Sequence, residues 1–145
     1  MFNNEQGFTL VETLISLAIV ATLSIASFPF VVQLFDYMQL NQVITVLQSD
    51  LHYLRDMNMM QLDDAPLRYI RIYHDEQRYV LVQGEEIEFE RFFPSTIQIP
   101  HTQSISIIRF NSAGNLGQGR TLQIESNHHQ RQFVFSVGMG GFNVR

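Results

Sequence analysis

The sequence of 145 residues contains no cysteine, no lysine and no tryptophan. Without cysteine the chain can form neither a disulfide framework nor a thiolate metal site. Because all nine basic residues are arginine, catalysis through a lysine amine or a Schiff base is excluded. The net charge of −5 argues against a chain that coats a polyanion along its whole length.

The motifs of common enzyme classes are also missing. The sequence has no phosphate-binding loop with its lysine, no dinucleotide fingerprint and no Gly-x-Ser-x-Gly nucleophile elbow. His128 and His129 are adjacent and have no ligand spacing, so we interpret them as an exposed turn rather than a metal site. We interpret four glutamates as the solvated face of a strand, because no loop marked by glycine arranges them to bind calcium. They are Glu85, Glu86, Glu88 and Glu90. The sequence therefore predicts no enzyme, no catalytic residue, no cofactor and no metal site.

One long apolar run lies near the N-terminus. Residues 8–35 read FTLVETLISLAIVATLSIASFPFVVQLF, and their only charge is Glu12. As a helix these 28 residues would be roughly 42 Å long, whereas a bilayer core of about 30 Å needs about 20. The run therefore predicts a membrane-spanning helix. Pro29 is expected to kink it, because proline removes a backbone donor and clashes with the preceding turn.

Three other interpretations of this run fit less well. A cleaved secretory signal would have a positive N-terminal region and a shorter apolar core, but residues 1–6 (MFNNEQ) contain no basic residue. A buried helix of a soluble domain would not be apolar over such a length. A plain membrane anchor fits the length but leaves the carboxylate of Glu12 unexplained.

Glu12 distinguishes the alternatives. A carboxylate within an apolar span costs a few kcal/mol, so it is expected to have a function and a partner. If the chain is cut after Gly7, the new amino group on Phe8 lies about one helical turn from Glu12. The two opposite charges would then neutralise each other, within a subunit or between neighbours. Such a pair would fix the axial register of packed helices.

The residues Gly7-Phe8-Thr9-Leu10-Val11-Glu12, followed by the apolar helix with its later proline, resemble the N-terminal signal of type IV pilins and pseudopilins. The resemblance implies that a prepilin peptidase cuts between Gly7 and Phe8 and methylates Phe8. It also implies that Glu12 is the assembly glutamate and Pro29 the helix kink. The leader differs from the usual pattern in having Glu5 and no basic residue, so orientation in the membrane depends on the resemblance.

The remainder of the chain has the patterns of a helix followed by strands. Apolar residues from Leu40 to Met57 recur at helical spacing, so the helix is expected to continue to about Met60. Pro66 disfavours helix in the residue before it. Alternating segments 67–73 and 78–83 predict a hairpin, and further strands are expected within 86–90, 104–110, 121–125 and 132–137. The expected fold class is α+β, with a long N-terminal helix packed on a mostly antiparallel sheet.

The second half carries a further resemblance. Its stretch FNSAGNLGQGRTLQI and its closing VGMGG resemble small pseudopilins of the GspH and FimT type. The short length and the lack of cysteine are similar to minor pilins of the competence pilus of Gram-positive bacteria. The resemblance implies a minor pilin of a DNA-uptake pilus, with other pilin subunits and prepilin peptidase as partners. Two alternatives remain open, namely a pseudopilin of a type II secretion system and a membrane-tethered binding domain that does not polymerise.

Charge is unevenly distributed, which suggests a possible contact with DNA. Residues 63–91 have a balance of −4, and residues 104–145 have a balance of +2 including the terminal carboxylate. An arginine patch on the distal part of the chain would contact phosphates. Its members would be Arg109, Arg120, Arg131 and Arg145. Scattered solubilising charges explain the same counts.

These interpretations divide the chain into four parts. Residues 1–7 are expected to be a leader peptide, residues 8–35 the transmembrane and filament-core helix, residues 36–62 its amphipathic continuation, and residues 63–145 a β-rich head. The expected location is the cytoplasmic membrane, which the chain crosses once with its head outside, and the cell surface after assembly into a pilus.

Overall fold

The computed structural model describes residues 9–61, 65–100, 106–138 and 141–145. It contains one long helix, α1, at Leu10–Met59. The strands in chain order are β1 (Arg68–Tyr73), β2 (Arg78–Gln83), β3 (Glu86–Phe92), β4 (Ile107–Ile108), β5 (Arg120–Glu125), β6 (Gln130–Phe135) and β7 (Phe142–Val144). The chain divides into two compact units, of which the first ends at Phe35 and the second covers Asp36–Arg145.

The strands of the second unit form two antiparallel sheets. The first has the order β3-β2-β1-β4, and the second has the order β5-β6-β7. The predicted α+β class is confirmed, and the β1–β2 hairpin has its expected strands. The antiparallel strands are divided between two sheets, because the chain leaves the first sheet after β4. β7 was not predicted, since its three residues in a glycine-rich tail are too short to show alternation.

The core of the second unit lies between the helix and both sheets. Leu40, Ile44, Leu47, Leu51 and Leu54 are buried along one face of α1, at the three- and four-residue spacing that places side chains on one stripe. They pack in one cluster with inward-facing residues of the strands. The largest fully buried partners from outside the helix are Ile70, Leu81, Ile97, Ile99, Phe110, Leu122, Ile124 and Phe133.

Three polar residues interrupt this stripe, and each is hydrogen-bonded. Asp36 and Asp50 are 6% exposed and Asn58 is fully buried. The carboxylate of Asp50 accepts hydrogen bonds from the Tyr79 hydroxyl at 2.6 Å and from Arg91 Nε at 2.7 Å. Burial, and the hydrogen bond to Asp50, raise the pKa of Tyr79, so the phenol stays a donor. The stripe is therefore attached to the strands by polar contacts as well as by apolar packing.

Asp36 attaches the turn between β5 and β6 to the helix. Its Oδ2 accepts hydrogen bonds from the Ser126 hydroxyl at 2.7 Å and from the His128 backbone N–H at 3.1 Å, and His128 Nδ1 lies 3.5 Å away. Burial by itself would raise the pKa of Asp36, but these hydrogen bonds and the charge of His128 hold it below its usual value. The folded state thus favours the ionised carboxylate.

This lowered pKa predicts a pH dependence of stability. Since the pKa of Asp36 is lower in the folded than in the unfolded state, its contribution is present above about pH 4 and is lost as the pH falls further. We expect Asp36→Asn to lower the free energy of unfolding at pH 7 by about 1–3 kcal/mol and to flatten its decline in acid. Urea unfolding of the full chain in mild detergent, from pH 7 to pH 3, measures both effects. Asp56→Asn, an exposed change on the same helix, is the control, and identical pH profiles for the two variants would contradict the assignment.

Candidate functional site

The start of α1 has the arrangement of a capped helix. Thr9 precedes the first helical residue, and its Oγ1 accepts a hydrogen bond from the Glu12 backbone N–H at 3.3 Å. Thr9 and Glu12 have the Ser/Thr-x-x-Glu spacing of a capping box, in which the glutamate can satisfy the backbone donor of the cap. The Glu12 carboxylate has no hydrogen-bond or ion-pair partner among the residues that the structure describes. It is therefore available to a partner outside them.

The first unit exposes apolar side chains on all sides of the helix. Every residue from Leu10 to Phe35 is exposed, and a window of 18 residues within α1 has a mean hydropathy of 2.2 with none of it buried. The helix is long and apolar enough to cross a membrane. An apolar surface of this extent is not stable in water, so it requires lipid or other apolar helices around it.

Pro29 lies inside α1. Its ring removes the donor that would bond to the carbonyl of Ile25. The hydroxyls of Thr22, Ser24 and Ser27 bond to carbonyls earlier in the helix, at Ile19, Val20 and Leu23 respectively. They therefore satisfy their own hydrogen-bonding groups within the apolar span. The kink at Pro29 stays a prediction.

The expected cleavage and methylation positions, Gly7 and Phe8, lie outside the described residues. The processing site thus stays a prediction from the sequence. What the structure describes begins at Thr9, immediately after the expected new N-terminus, and places Glu12 in the first turn of the helix.

The structure brings together two of the four arginines considered for DNA contact. Arg109 and Arg120 both line a groove of about 780 Å³ at the border between the two sheets. Arg131 lies elsewhere, with its guanidinium 5.9 Å from the centre of the Tyr37 ring. Arg145 exchanges backbone hydrogen bonds with Gln132 on β6. Because side chains alternate along a strand, Gln132 lies on the face opposite to the buried Phe133. The four arginines therefore do not form one patch.

The acidic residues of β3 and the two histidines are placed partly as expected. Glu88 pairs with Arg68 at 2.6 Å and Glu90 with Arg78 at 2.7 Å, on the exposed strand β3. His128 lies in an exposed turn but is oriented toward Asp36, which the sequence interpretation did not foresee. Among the described residues no group of three or more histidine, cysteine, aspartate or glutamate side chains could hold a metal ion.

Sequence reasoning missed the buried polar residues of the stripe. The signal was available, because Asp36 lies four residues before Leu40 and Asn58 four residues after Leu54, on the face that apolar residues define. A polar residue at such a position is expected to bond to whatever packs on the helix. No sequence pattern of this kind indicated the groove, because Arg109 and Arg120 come to line it only through the pairing of distant strands.

Comparison with known proteins agrees with this arrangement. A family model described as the prokaryotic N-terminal methylation motif matches residues 2–28, which include Gly7, Phe8 and Glu12. The resemblance predicted from the first residues is confirmed, because residues 2–28 carry this N-terminal methylation motif.

One relative extends the similarity beyond this motif. The chain is 25% identical to the competence protein ComGD of Bacillus subtilis (strain 168) over 142 residues, which cover 98% of this chain and 94% of the relative. No solved structure matches the chain. The similarity thus includes the head as well as the N-terminal helix.

Proposed function

We propose that this chain is a minor pilin of a competence type IV pilus, the filament that takes up DNA. In this proposal a prepilin peptidase cuts between Gly7 and Phe8 and methylates Phe8, and the subunit then enters the filament through its N-terminal helix. The role is structural, without catalysis. The observation that carries the proposal is the all-round exposure of the apolar helix from Leu10 to Phe35, with Glu12 as its one charge.

Each stage of the proposal requires a different environment for this helix. Before assembly, lipid surrounds the apolar side chains, and the head (Asp36–Arg145) lies on the outer side of the cytoplasmic membrane. During assembly, lipid contact is exchanged for packing against the helices of other pilins. The Glu12 carboxylate, which has no partner among the described residues, would pair with the amino group of Phe8 in its own or a neighbouring subunit.

The similarity to ComGD favours competence over secretion. A pseudopilin of a type II secretion system would use the same helix physics, and so would not differ in the first unit. The similarity over 98% of the chain includes the head, where the two kinds of subunit are expected to differ. A membrane-tethered binding domain that never polymerises is the remaining alternative, and the motif at residues 2–28 supports assembly instead.

Deleting the gene for this chain tests the choice between competence and secretion. We expect transformation by added DNA to fall by at least about a hundredfold, while the set of secreted proteins stays unchanged. Restoring the full chain should restore transformation, and restoring a Gly7→Leu variant, which blocks processing, should not. Normal transformation with a changed set of secreted proteins would contradict the competence role and support the pseudopilin alternative.

Contact between DNA and Arg109, Arg120, Arg131 or Arg145 stays a prediction. Because Arg109 and Arg120 line one groove whereas Arg131 and Arg145 do not, the groove pair and each of the other two arginines would have to be tested separately. If an arginine binds a phosphate, its loss should weaken binding to all sequences alike and reduce the salt dependence by about one charge.

A further inference from the structure

The groove that contains Arg109 and Arg120 lies between two sheet edges, of which the β5 edge is paired, within the described part of the chain, only at Glu125, by a bridge to Gln98. β4 is the last strand of the first sheet and β5 the first strand of the second, and both contribute to the groove wall. Edge strands present unpaired backbone donors and acceptors, which can pair with an extended segment of another chain. The groove is therefore shaped for an extended segment.

Among the residues that the structure describes, no carboxylate balances the charge of the groove. Arg109 has no hydrogen-bond or ion-pair partner among the described residues, and Arg120 donates only to the neutral amide of Gln118, at 2.7 Å. The described lining residues include no aspartate or glutamate, and Leu67, Leu116 and Phe135 give the groove an apolar part. A segment with acidic and apolar side chains would complement both features.

The opposite edge of the first sheet has the complementary composition. Glu85 and Glu86, at the turn into β3, are exposed and have no partner among the described residues. They are followed by Ile87, which is 58% exposed, and the same strand exposes 65% of Phe92. The segment Glu85–Ile87 thus presents two carboxylates and one apolar side chain, and the groove presents two guanidiniums without an anionic partner among the described residues and an apolar part.

These two edges cannot meet within one molecule. β2 and β1 separate β3 from β4, so the edges are three strand spacings, or about 14 Å, apart. Pairing between neighbouring strands holds them there, as in the pairs Ile87–Val82 and Val82–Tyr69. Any contact between the acidic segment and the groove is therefore between two molecules.

We propose that the groove of one copy binds the segment Glu85–Ile87 of a second copy. Glu85 and Glu86 approach Arg109 and Arg120, and Ile87 packs on the apolar part of the groove. Since the two surfaces differ and lie on opposite edges, the contact is heterologous and lets copies add in short rows. Tethering by the membrane helix raises the effective concentration of heads, so a contact of few residues suffices.

Nucleic acid fits the groove less well than the acidic segment does. Phosphate recognition depends on several cations along a path, whereas this groove has two and an apolar part. The acidic segment has carboxylates without a partner among the described residues, and the groove supplies cations in the same chain. This assignment removes Arg109 and Arg120 from the predicted contact with DNA.

Disulfide crosslinking tests the contact in the full chain, because the sequence contains no cysteine of its own. Ile87→Cys and Ile107→Cys chains are expressed together, with different epitope tags, in cells that process prepilins. Ile87 and Ile107 are both substantially exposed, and their separation in one molecule is beyond the reach of about 7 Å between Cα atoms that a disulfide requires. We expect a mixed dimer that joins the two tags, at a yield well above that of either variant alone.

Charge reversal identifies the groups responsible. Adding Arg109→Glu and Arg120→Glu to both chains is expected to lower the crosslink yield at least about tenfold, because like charges then oppose contact. Glu85→Arg with Glu86→Arg should do the same. A mixture of one groove-reversed chain and one segment-reversed chain should recover the yield, since opposite charges again meet. Arg131→Glu with Arg145→Glu, which carries the same charge change outside the groove, is the control and should leave the yield unchanged.

Several results would overturn the proposal. One is absence of the mixed dimer in chains whose mass shows correct processing, which separates this failure from failure of the proposed function. A second is a yield that does not respond to the charge reversals. A third is that the chain with Arg109→Glu and Arg120→Glu no longer binds a fluorescent single-stranded DNA, while its crosslink yield is unchanged. This result would assign the groove to nucleic acid.

Discussion

A chain with Glu12→Ala is expected to be cut after Gly7 as usual but to be absent from filaments. In the proposed function, cleavage depends on the residues around Gly7 and Phe8, whereas entry into the filament requires a partner for the new amino group. Without the Glu12 carboxylate that positive charge would lie unpaired among apolar helices, which costs about 3 kcal/mol or more. This corresponds to a loss of filament incorporation of more than about a hundredfold. Immunoblots of sheared filaments and of membranes measure incorporation and cleavage separately.

Glu12→Gln distinguishes charge pairing from helix capping. Thr9 and Glu12 form a capping-box pattern, and glutamine can replace glutamate in such a box without carrying a charge. If the charge is what assembly needs, the Gln variant fails like the Ala variant. If capping is what matters, the Gln variant assembles. Ser16→Ala, one turn further along the same helix, is the control, and normal filament levels with Glu12→Ala would contradict the role of Glu12 in assembly.

The largest expected loss of head stability comes from Asn58→Leu. The fully buried Asn58 side chain donates to the carbonyls of Arg68 and Phe110, each at 2.9 Å, and accepts from the Arg68 N–H at 2.9 Å. It thereby connects the end of α1 to the start of β1 and to the segment after β4. Leucine has a similar size but would leave three backbone groups unpaired, at about 1–3 kcal/mol each. We expect a loss of at least about 3 kcal/mol in the free energy of unfolding.

Thermal unfolding of the full chain in mild detergent, followed by near-ultraviolet circular dichroism, measures this loss. Asn143→Leu is the matched control, because Asn143 is exposed on β7 and the change in side chain is the same. Equal stability of the two variants would show that Asn58 does not connect the helix to the strands. The membrane helix should not contribute to the difference, since both changes lie in the head.

The N-terminal half of the fold could be predicted because its determinants are local. The apolar run with one charge indicated a membrane helix, and the three- and four-residue spacing after Leu40 indicated which face is buried. The end of α1 at Met59 is one residue from the predicted end. The strands β1 and β2 were also predicted nearly residue for residue, because alternation is strong on both sides of a short turn.

The arrangement of the second half depends on distant pairings that local patterns do not contain. Nothing near Ile107 indicates that β4 would pair with β1, or that β5 would start a separate sheet. The groove between these strands, which both Arg109 and Arg120 line, follows from that separation. In the same way the turn at Ser126–His129 was recognised as a turn, but its attachment to Asp36, some ninety residues earlier, was not.

The most direct test of the central claim is the intact mass and N-terminal sequence of the protein from cells with and without prepilin peptidase. We predict a mature chain that begins at Phe8 and is about 14 Da heavier than its sequence, by one methyl group, and that forms only when the peptidase is present. A chain that still begins at Met1, or one cut elsewhere in both strains, would contradict the account. The apolar helix would then be an ordinary anchor or signal, and the assembly role of Glu12 would have no basis.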